Sequence, residues 1–166
     1  MLYINYCILI WGNTCKTYLE KIFKLQKWAI RTVTNSHYRS HTAPLFLKHN
    51  VLNIDDTFKL NLGIFMFKHH TNQLPNLFSS YFVKHSQNHN YSTRNAQDYS
   101  INNNMKPFTD RAIRNCGPMF WNDLDKLDHS MKKCNTTKQF SIKKCKTTKQ
   151  FKTLLKESLV SKYKTI

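Results

Sequence analysis

The sequence predicts a mainly α-helical protein, with several short to medium helices joined by polar loops and an extended basic helix at the C-terminus. Three glycines in 166 residues leave few sites for the positive-φ turns on which β-sandwiches and β-barrels depend. Residues 17–33 repeat apolar side chains with the period of an α-helix, and residues 57–70 are apolar almost throughout. A chain of this length can form one domain, or slightly more, with a core of its own.

The helix over residues 17–33 follows the sequence Trp11-Gly12-Asn13-Thr14 and has two distinct faces. At about 100° per residue, a group of mostly apolar side chains falls within one arc of roughly 120° and predicts the buried face. The group consists of Leu19, Ile22, Phe23, Gln26, Ala29, Ile30 and Val33. Lysines and an arginine occupy the opposite side, where Trp28 also projects. Either a second helix covers this indole or a nucleic-acid base stacks on it.

Local signals predict the neighbouring elements. Residues 1–11 are apolar over too short a run to span a bilayer, so we expect a buried helix or strand there. Thr42 begins a short helix that has a proline in its first turn. Asp55 is the expected N-cap of the apolar helix over residues 57–70, which should be the most buried element. Pro75 then opens another short helix.

The second half of the chain begins with a flexible polar loop over residues 84–105, which are rich in Asn, Ser and His. An alternating stretch over residues 108–114 predicts a short strand. Cys116-Gly117-Pro118 predicts a sharp turn into a helix over residues 119–127. The chain therefore divides into three segments: a helical segment over residues 1–83, the loop over residues 84–105, and a C-terminal helical tail over residues 106–166.

The tail contains a tandem duplication over residues 132–151. Residues 132–140 read KKCNTTKQF, and residues 143–151 read KKCKTTKQF, displaced by eleven residues. Eleven residues are about three helical turns, so Phe140 and Phe151 would lie on one helical face. The duplication predicts a lengthened C-terminal helix rather than a functional array of repeats.

The charge of the chain is strongly positive. There are 26 lysines and arginines against 9 aspartates and glutamates, a net charge of +17. A field of this sign attracts a polyanion, either nucleic acid or an anionic membrane, and makes binding depend on salt. A basic, solvated surface without a specific partner is the alternative. Five cysteines, an odd number without CxxC spacing, indicate thiols of an intracellular protein.

Catalytic and cofactor motifs are not found in the sequence. Asp55-Asp56 is the only adjacent pair of carboxylates, and helix capping accounts for it. Phosphate-binding and dinucleotide-binding loops need more glycine than the chain has. We therefore predict no catalytic residue, no cofactor and no metal ligand. A small zinc-dependent nucleic-acid-binding module remains an alternative, because His37 and His41, like His85 and His89, are spaced to share a helical face.

Basic residues interleaved with aromatic rings predict the nucleic-acid-binding surface. Lysine and arginine neutralise phosphates, and rings stack on unpaired bases. The candidate residues are Lys24, Lys27, Trp28, Arg31, Arg39, Tyr91, Arg94, Arg111 and Arg114.

An ordered series of short motifs runs through nearly the whole chain. It consists of Tyr6-Cys7, Ile10-Trp11-Gly12-Asn13-Thr14, Leu25-Gln26-Lys27 with Ala29 and Arg31, His41-Thr42-x-Pro44-Leu45-Phe46, Ile64-Phe65-Met66 with Leu74-Pro75, Tyr91-x-Thr93-Arg94, Gly117-Pro118-x-x-Trp121-Asn122-x-Leu124 and Phe151-Lys152-x-x-Leu155-Lys156. The series resembles the region downstream of the reverse transcriptase domain in LINE-type (non-LTR) retrotransposon polyproteins. The resemblance implies that residues 1–83 correspond to the end of the thumb region.

The resemblance also implies a parent protein that combines an endonuclease with an RNA-directed DNA polymerase. The catalytic motifs of these two activities have no matching positions here, so the isolated chain is expected not to be an enzyme. Its expected partners are RNA or DNA, bound non-specifically, and the polymerase core of an intact retroelement protein, with no membrane. The expected location is the nucleus or the cytoplasm. The duplication departs from the family pattern, which leaves a non-functional pseudogene product as a further alternative.

Overall fold

The computed structural model describes residues 2–88, 96–101, 111–132 and 145–164. The protein is mainly helical, which confirms the predicted fold class. Its α-helices are α1 (Leu2–Asn5), α2 (Ile8–Trp11), α3 (Lys16–Val33), α4 (Ala43–Lys48), α5 (Ile54–His70), α6 (His85–Asn88), α7 (Ile113–Lys132) and α8 (Thr148–Ser161). Short 3₁₀ turns cover Asn76–Phe78 and Lys162–Lys164.

The chain forms two compact units. The first contains Met1–Asn61 and Thr153–Ile166, and the second contains Leu62–Lys152. The units follow proximity in space, whereas the three predicted segments follow composition along the chain. The segments over residues 1–83, 84–105 and 106–166 therefore stay a prediction.

In the first unit, α3 packs through a narrow ridge. Ile30 and the Gln26 side chain are buried, and the Phe23 ring stacks on the Phe46 ring of α4 with centroids 6.5 Å apart. The Gln26 amide donates a hydrogen bond of 2.9 Å to the carbonyl of Leu52. These contacts fix which side of α3 faces the core.

The apolar N-terminal stretch forms two one-turn helices rather than one buried element. Ile8 is buried, whereas Tyr6 and Ile10 project into solvent. The helix α2 ends at Gly12, where a Cβ atom would lie only 2.8 Å from the Phe58 ring. Gly12 therefore allows the end of α2 to lie directly against α5.

The helix α5 begins earlier than the sequence predicts. Its first residue is Ile54, and the Asn53 side chain accepts a hydrogen bond of 2.7 Å from the Asp56 amide, as an N-cap does. The prediction that Asp55 is the N-cap is therefore wrong, because an asparagine two positions earlier performs the same role. This helix is the most buried element, as predicted. Its buried side chains are Ile54, Phe58, Leu60, Leu62, Met66 and Phe67.

Asp56 has a role that capping does not explain. Its carboxylate is buried and accepts a hydrogen bond from the Tyr163 hydroxyl, and Lys59 lies 3.6 Å from its other oxygen. The Tyr163 hydroxyl in turn accepts a hydrogen bond of 3.1 Å from the Asn53 amide. Burial, and then the hydrogen bond to Asp56, raise the pKa of Tyr163, so the phenol stays protonated and remains a donor.

In the second unit, aromatic rings form the centre of the core. The Phe67 ring stacks on Phe151 with centroids 4.5 Å apart, and Trp121 stacks on the same phenyl ring at 6.0 Å. Met66 and Leu124 are fully buried. These residues come from α5, α7 and α8, so packing in this unit joins segments that are far apart in sequence.

The predicted turn at Cys116-Gly117-Pro118 is wrong, because α7 runs through it and Pro118 lies inside the helix. A proline inside a helix loses one backbone hydrogen bond and costs about 3 kcal/mol. Gly117 and Pro118 are both buried, and a Cβ atom at Gly117 would lie only 2.8 Å from the Met66 sulfur, so glycine allows this part of α7 to pack closely against Met66. The predicted strand is also wrong where it can be judged, since α7 already includes Ile113 and Arg114; its earlier part lies outside the described residues.

Pro75 precedes a single 3₁₀ turn, Asn76–Phe78, rather than the predicted short helix. The described parts of the predicted loop, residues 84–88 and 96–101, have defined contacts. Lys84 and Tyr99 form an antiparallel bridge, and the Asn122 side chain both donates to and accepts from the Tyr99 backbone, at 2.9 and 3.1 Å. The side chain of Asn122 thus makes the two hydrogen bonds to the Tyr99 backbone that a neighbouring β-strand would otherwise make.

The helix across the duplication is not continuous. In the described part of the second copy, residues 145–147 are non-helical and α8 begins at Thr148. The Thr147 hydroxyl accepts a hydrogen bond of 3.3 Å from the Gln150 amide, which is the hydrogen bond of a capping-box N-terminus. The prediction of a lengthened helix is wrong here because the copied motif Thr-x-x-Gln itself starts a helix. Phe140 lies outside the described residues.

Replacing Tyr163 by phenylalanine should lower the free energy of unfolding. The change leaves the buried Asp56 carboxylate without its hydroxyl donor and the Asn53 amide without its acceptor. An unpaired buried polar group costs about 1–3 kcal/mol. Urea unfolding measures the effect, with Tyr18→Phe as the matched control, because Tyr18 is exposed and should change stability by less than about 0.5 kcal/mol. Equal unfolding midpoints for the two variants would contradict this role of Tyr163.

Acid should destabilise the second unit through His69. Its Nε2 atom lies 3.1 Å from the Phe78 carbonyl, which can only accept, so Nε2–H is the donor. In the neutral ring, Nδ1 then accepts a hydrogen bond of 3.1 Å from the Tyr99 hydroxyl. Burial, with a smaller contribution from Lys84, lowers the pKa of His69 below its ordinary value of 6.5. The unfolded chain therefore binds the proton more readily, and the contribution of the neutral ring, present above pH 6.5, is lost as the pH falls below it.

Urea unfolding of the native chain and of His69→Gln, across a pH series from neutral to mildly acidic, measures this loss. The other histidines titrate in both proteins, so their effects cancel in the difference. The native chain should lose more stability on acidification than His69→Gln does. If the free energies of unfolding of the two proteins changed equally with pH, His69 would not be the group responsible for the loss.

Candidate nucleic-acid interface

The buried residues of α3 determine which of its side chains face solvent. Gln26 and Ile30 are only 3% and 6% exposed, so the residues about half a turn away must face solvent. Trp28, Lys24 and Lys21 lie on that side and are exposed. The predicted basic face is therefore a surface of the first unit.

Trp28 is the most unusual residue of this surface. Its side chain is 65% exposed, and the described part of the chain does not cover it, although a large indole is rarely left in solvent. The two other tryptophans differ from it. Trp121 is buried, and the Trp11 indole donates a hydrogen bond of 2.7 Å to the Tyr6 carbonyl. The two alternatives for Trp28 are cover by a second helix and stacking on a nucleic-acid base. No helix among the described residues covers the indole, so its face is available to stack on a base.

Lys27 and Arg31 are less available than the sequence suggests. The Lys27 ammonium lies 4.1 Å from the centroid of the Phe23 ring, a cation–π contact at the edge of the core. The Arg31 Nε–H donates a hydrogen bond of 3.0 Å to the Ser40 carbonyl. Both side chains are half-buried. Lys24 is exposed and is the more direct candidate for a phosphate contact.

The hydrogen bond of Arg31 brings the connector after α3 back to the helix. Tyr38 in this connector is 66% exposed, and the Arg39 guanidinium lies 5.2 Å from the centroid of its ring. The His37 ring lies against the same phenol, with centroids 4.8 Å apart. The connector therefore adds a second exposed ring and a second guanidinium close to the C-terminal end of α3.

The remaining candidates are not part of the α3 surface as described. Arg111 and Arg114 belong to the second unit, where the Arg114 guanidinium lies 5.7 Å from the centroid of the exposed Tyr81 ring. Tyr91 and Arg94 lie outside the described residues. Five of the nine candidates, Lys24, Lys27, Trp28, Arg31 and Arg39, thus lie on α3 and its connector.

The predicted buried arc of α3 is too wide. Ala29 and Val33 were expected in the core, but both are exposed, whereas Gln26 and Ile30 are buried and Leu19, Ile22 and Phe23 are half-buried. Periodicity alone cannot find this difference, since it gives the direction of a face but not the width of the surface that meets it. Tyr18 and Leu25, which lie outside the predicted arc, are the sequence signals of a second apolar face.

Other kinds of site find little support in the described residues. No group of three His, Cys, Asp or Glu side chains there could hold a metal ion, and both ring nitrogens of His69 already have partners. No disulfide joins Cys7, Cys15, Cys116 and Cys145 to one another. None of the described helices has the length and apolar character needed to cross a bilayer.

The exposed ammonium and guanidinium groups and rings of the α3 surface have the chemistry to neutralise phosphates and to stack on bases. Comparison of the chain with known protein families, with characterised proteins and with solved structures finds no match.

Proposed function

We propose that the chain binds RNA or DNA without sequence specificity through the outward face of α3, and that it corresponds to the C-terminal region of a LINE-type reverse transcriptase polyprotein. The observation that carries the binding proposal is the exposed indole of Trp28, which lies among lysines in a chain of net charge +17. Stacking of an aromatic ring on an unpaired base contributes about 1–3 kcal/mol per base.

The charges on α3 favour a nucleic acid over other polyanions only in combination with the ring. Lys21 and Lys24 lie about two turns and one turn before Trp28, so a strand that stacks a base on the indole brings its phosphates towards these ammonium groups. The connector supplies Tyr38 and Arg39 for a neighbouring nucleotide. Single-stranded nucleic acid fits this arrangement, because its bases are free to stack.

The family proposal is supported by where its motif residues lie. Phe46, Trp121, Leu124, Phe151 and Leu155 are all buried, and Gly12 and Gly117 are sites of close packing. Other motif residues, Ile10 and Leu25, are exposed, so the support comes from this buried subset of the series, whose members occupy core positions that a shared fold requires. On this proposal the chain acts in the nucleus or cytoplasm, has no catalytic activity of its own, and has the polymerase core of an intact retroelement protein as a further partner.

The binding proposal is tested by titrating labelled single-stranded RNA with the native chain, Trp28→Ala and Leu25→Ala over a salt series. Leu25 is the matched control, because it is as exposed as Trp28 and lies on the same helix but has no ring. Affinity should fall with salt, with a slope of about −0.7 per phosphate neutralised on a single strand. Trp28→Ala should weaken binding further, by about 1 kcal/mol or roughly fivefold.

The two variants distinguish a stacking surface from charge alone. If Trp28→Ala binds as tightly as Leu25→Ala at every salt concentration, only the charge acts and the stacking proposal is wrong. That result is the one expected of a non-functional pseudogene product.

A further inference from the structure

A continuous apolar strip lies along α3 beside the basic surface. It is formed by Tyr18, Ile22, Leu25, Ala29 and Val33. Tyr18, Leu25 and Val33 are 62%, 65% and 84% exposed, and Ala29 is exposed as well. Ile22 is half-buried, and the other four side chains of the strip face solvent on the first unit.

The spacing of the strip is that of a helix–helix seam. Tyr18, Ile22, Leu25 and Ala29 follow each other at intervals of four, three and four residues, which is the alternation of apolar positions in a heptad repeat. Val33 extends the strip to the end of α3. A second helix laid along α3 would bury these side chains together, whereas a nucleic acid offers no aliphatic surface to match Leu25 and Val33.

The charges beside the strip decide which helix fits. The helix α3 has five basic residues, Lys16, Lys21, Lys24, Lys27 and Arg31, against one acidic residue, Glu20. A second copy of this chain would bring two such helices together, and each chain carries a net charge of +17. Like charges across a seam repel, so self-association is disfavoured, whereas an acidic helix would pair with Lys21 and Lys24.

We propose that the strip is a docking surface for an amphipathic helix of a partner protein, whose apolar ridge is flanked by aspartate or glutamate. Helix-in-groove recognition of this kind uses apolar anchors at the spacing seen here. The acidic flank would lie against Lys21 and Lys24, on the side of the strip that faces away from the core. The proposal does not depend on Trp28, because its apolar contacts come from the aliphatic residues of the strip; it shares Lys21 and Lys24 with the proposed nucleic-acid surface.

The probe is a synthetic helical peptide with leucine at the two apolar heptad positions and glutamate at the flanking positions. Its binding to the full chain is measured by fluorescence anisotropy beside two control peptides: one with lysine in place of glutamate, and one with the glutamate peptide's composition in scrambled order. The glutamate peptide should bind at least about tenfold more tightly than either control, because only it matches both the apolar strip and its charge.

Matched variants of the chain locate the binding site. Leu25→Ser should weaken binding of the glutamate peptide several-fold, and Val33→Ser is a second variant on the same strip. Leu77→Ser is the control, because Leu77 is 86% exposed and belongs to the second unit. All three positions lie in solvent, so circular dichroism should find the fold unchanged.

Three outcomes would overturn the proposal. Equal binding of the glutamate peptide and its scrambled version would mean that charge alone attracts it. Unchanged binding by both strip variants would place the peptide elsewhere. A native chain that sediments as a dimer, and becomes a monomer on Leu25→Ser, would mean that a second copy occupies the strip instead.

Discussion

Hydrogen bonds around the start of α5 determine how the first unit is assembled. The Tyr163 hydroxyl donates to the Asp56 carboxylate and accepts from the Asn53 amide, while the Gln26 side chain donates to the Leu52 carbonyl. Three segments that are distant in sequence therefore meet within five consecutive residues. Apolar packing tolerates small shifts, but a buried polar group left unpaired costs about 1–3 kcal/mol, so these bonds fix the register of α3 and of the C-terminal turn against α5.

The fixed rotation of α3 explains both surfaces assigned to it. With Gln26 turned towards Leu52, Trp28 and Lys24 face solvent on one side, and the strip that contains Leu25 faces solvent on another. The fully buried residues of the helix, Gln26 and Ile30, lie on one side, and the opposite side of the helix is exposed. On the two proposals, one helix presents a charged, ring-bearing face to a nucleic acid and an apolar face to a protein helix.

Local sequence patterns predicted many of the helices but few of the contacts between segments that are distant in sequence. The helical period identified α3, and the apolar composition of α5 identified the most buried element. The pairing of Asp56 with Tyr163 spans 107 residues and leaves no local signal. Pro118 was misplaced because a proline looks the same in sequence at a helix start and inside a helix whose packing tolerates it. For the interface, periodicity placed Trp28 among the lysines, but only the structure could tell whether another element covers it.

The most direct test of the interface is to follow the indole N–H signals of the three tryptophans by ¹H–¹⁵N NMR while an oligouridylate is added to the labelled chain. Each tryptophan has a different environment: Trp28 is exposed, Trp121 is buried, and the Trp11 indole is hydrogen-bonded to the Tyr6 carbonyl. A base that stacks on α3 should shift the Trp28 signal strongly and leave the other two nearly unchanged. Binding that leaves the Trp28 signal in place, or shifts all three equally, would contradict a stacking surface on α3.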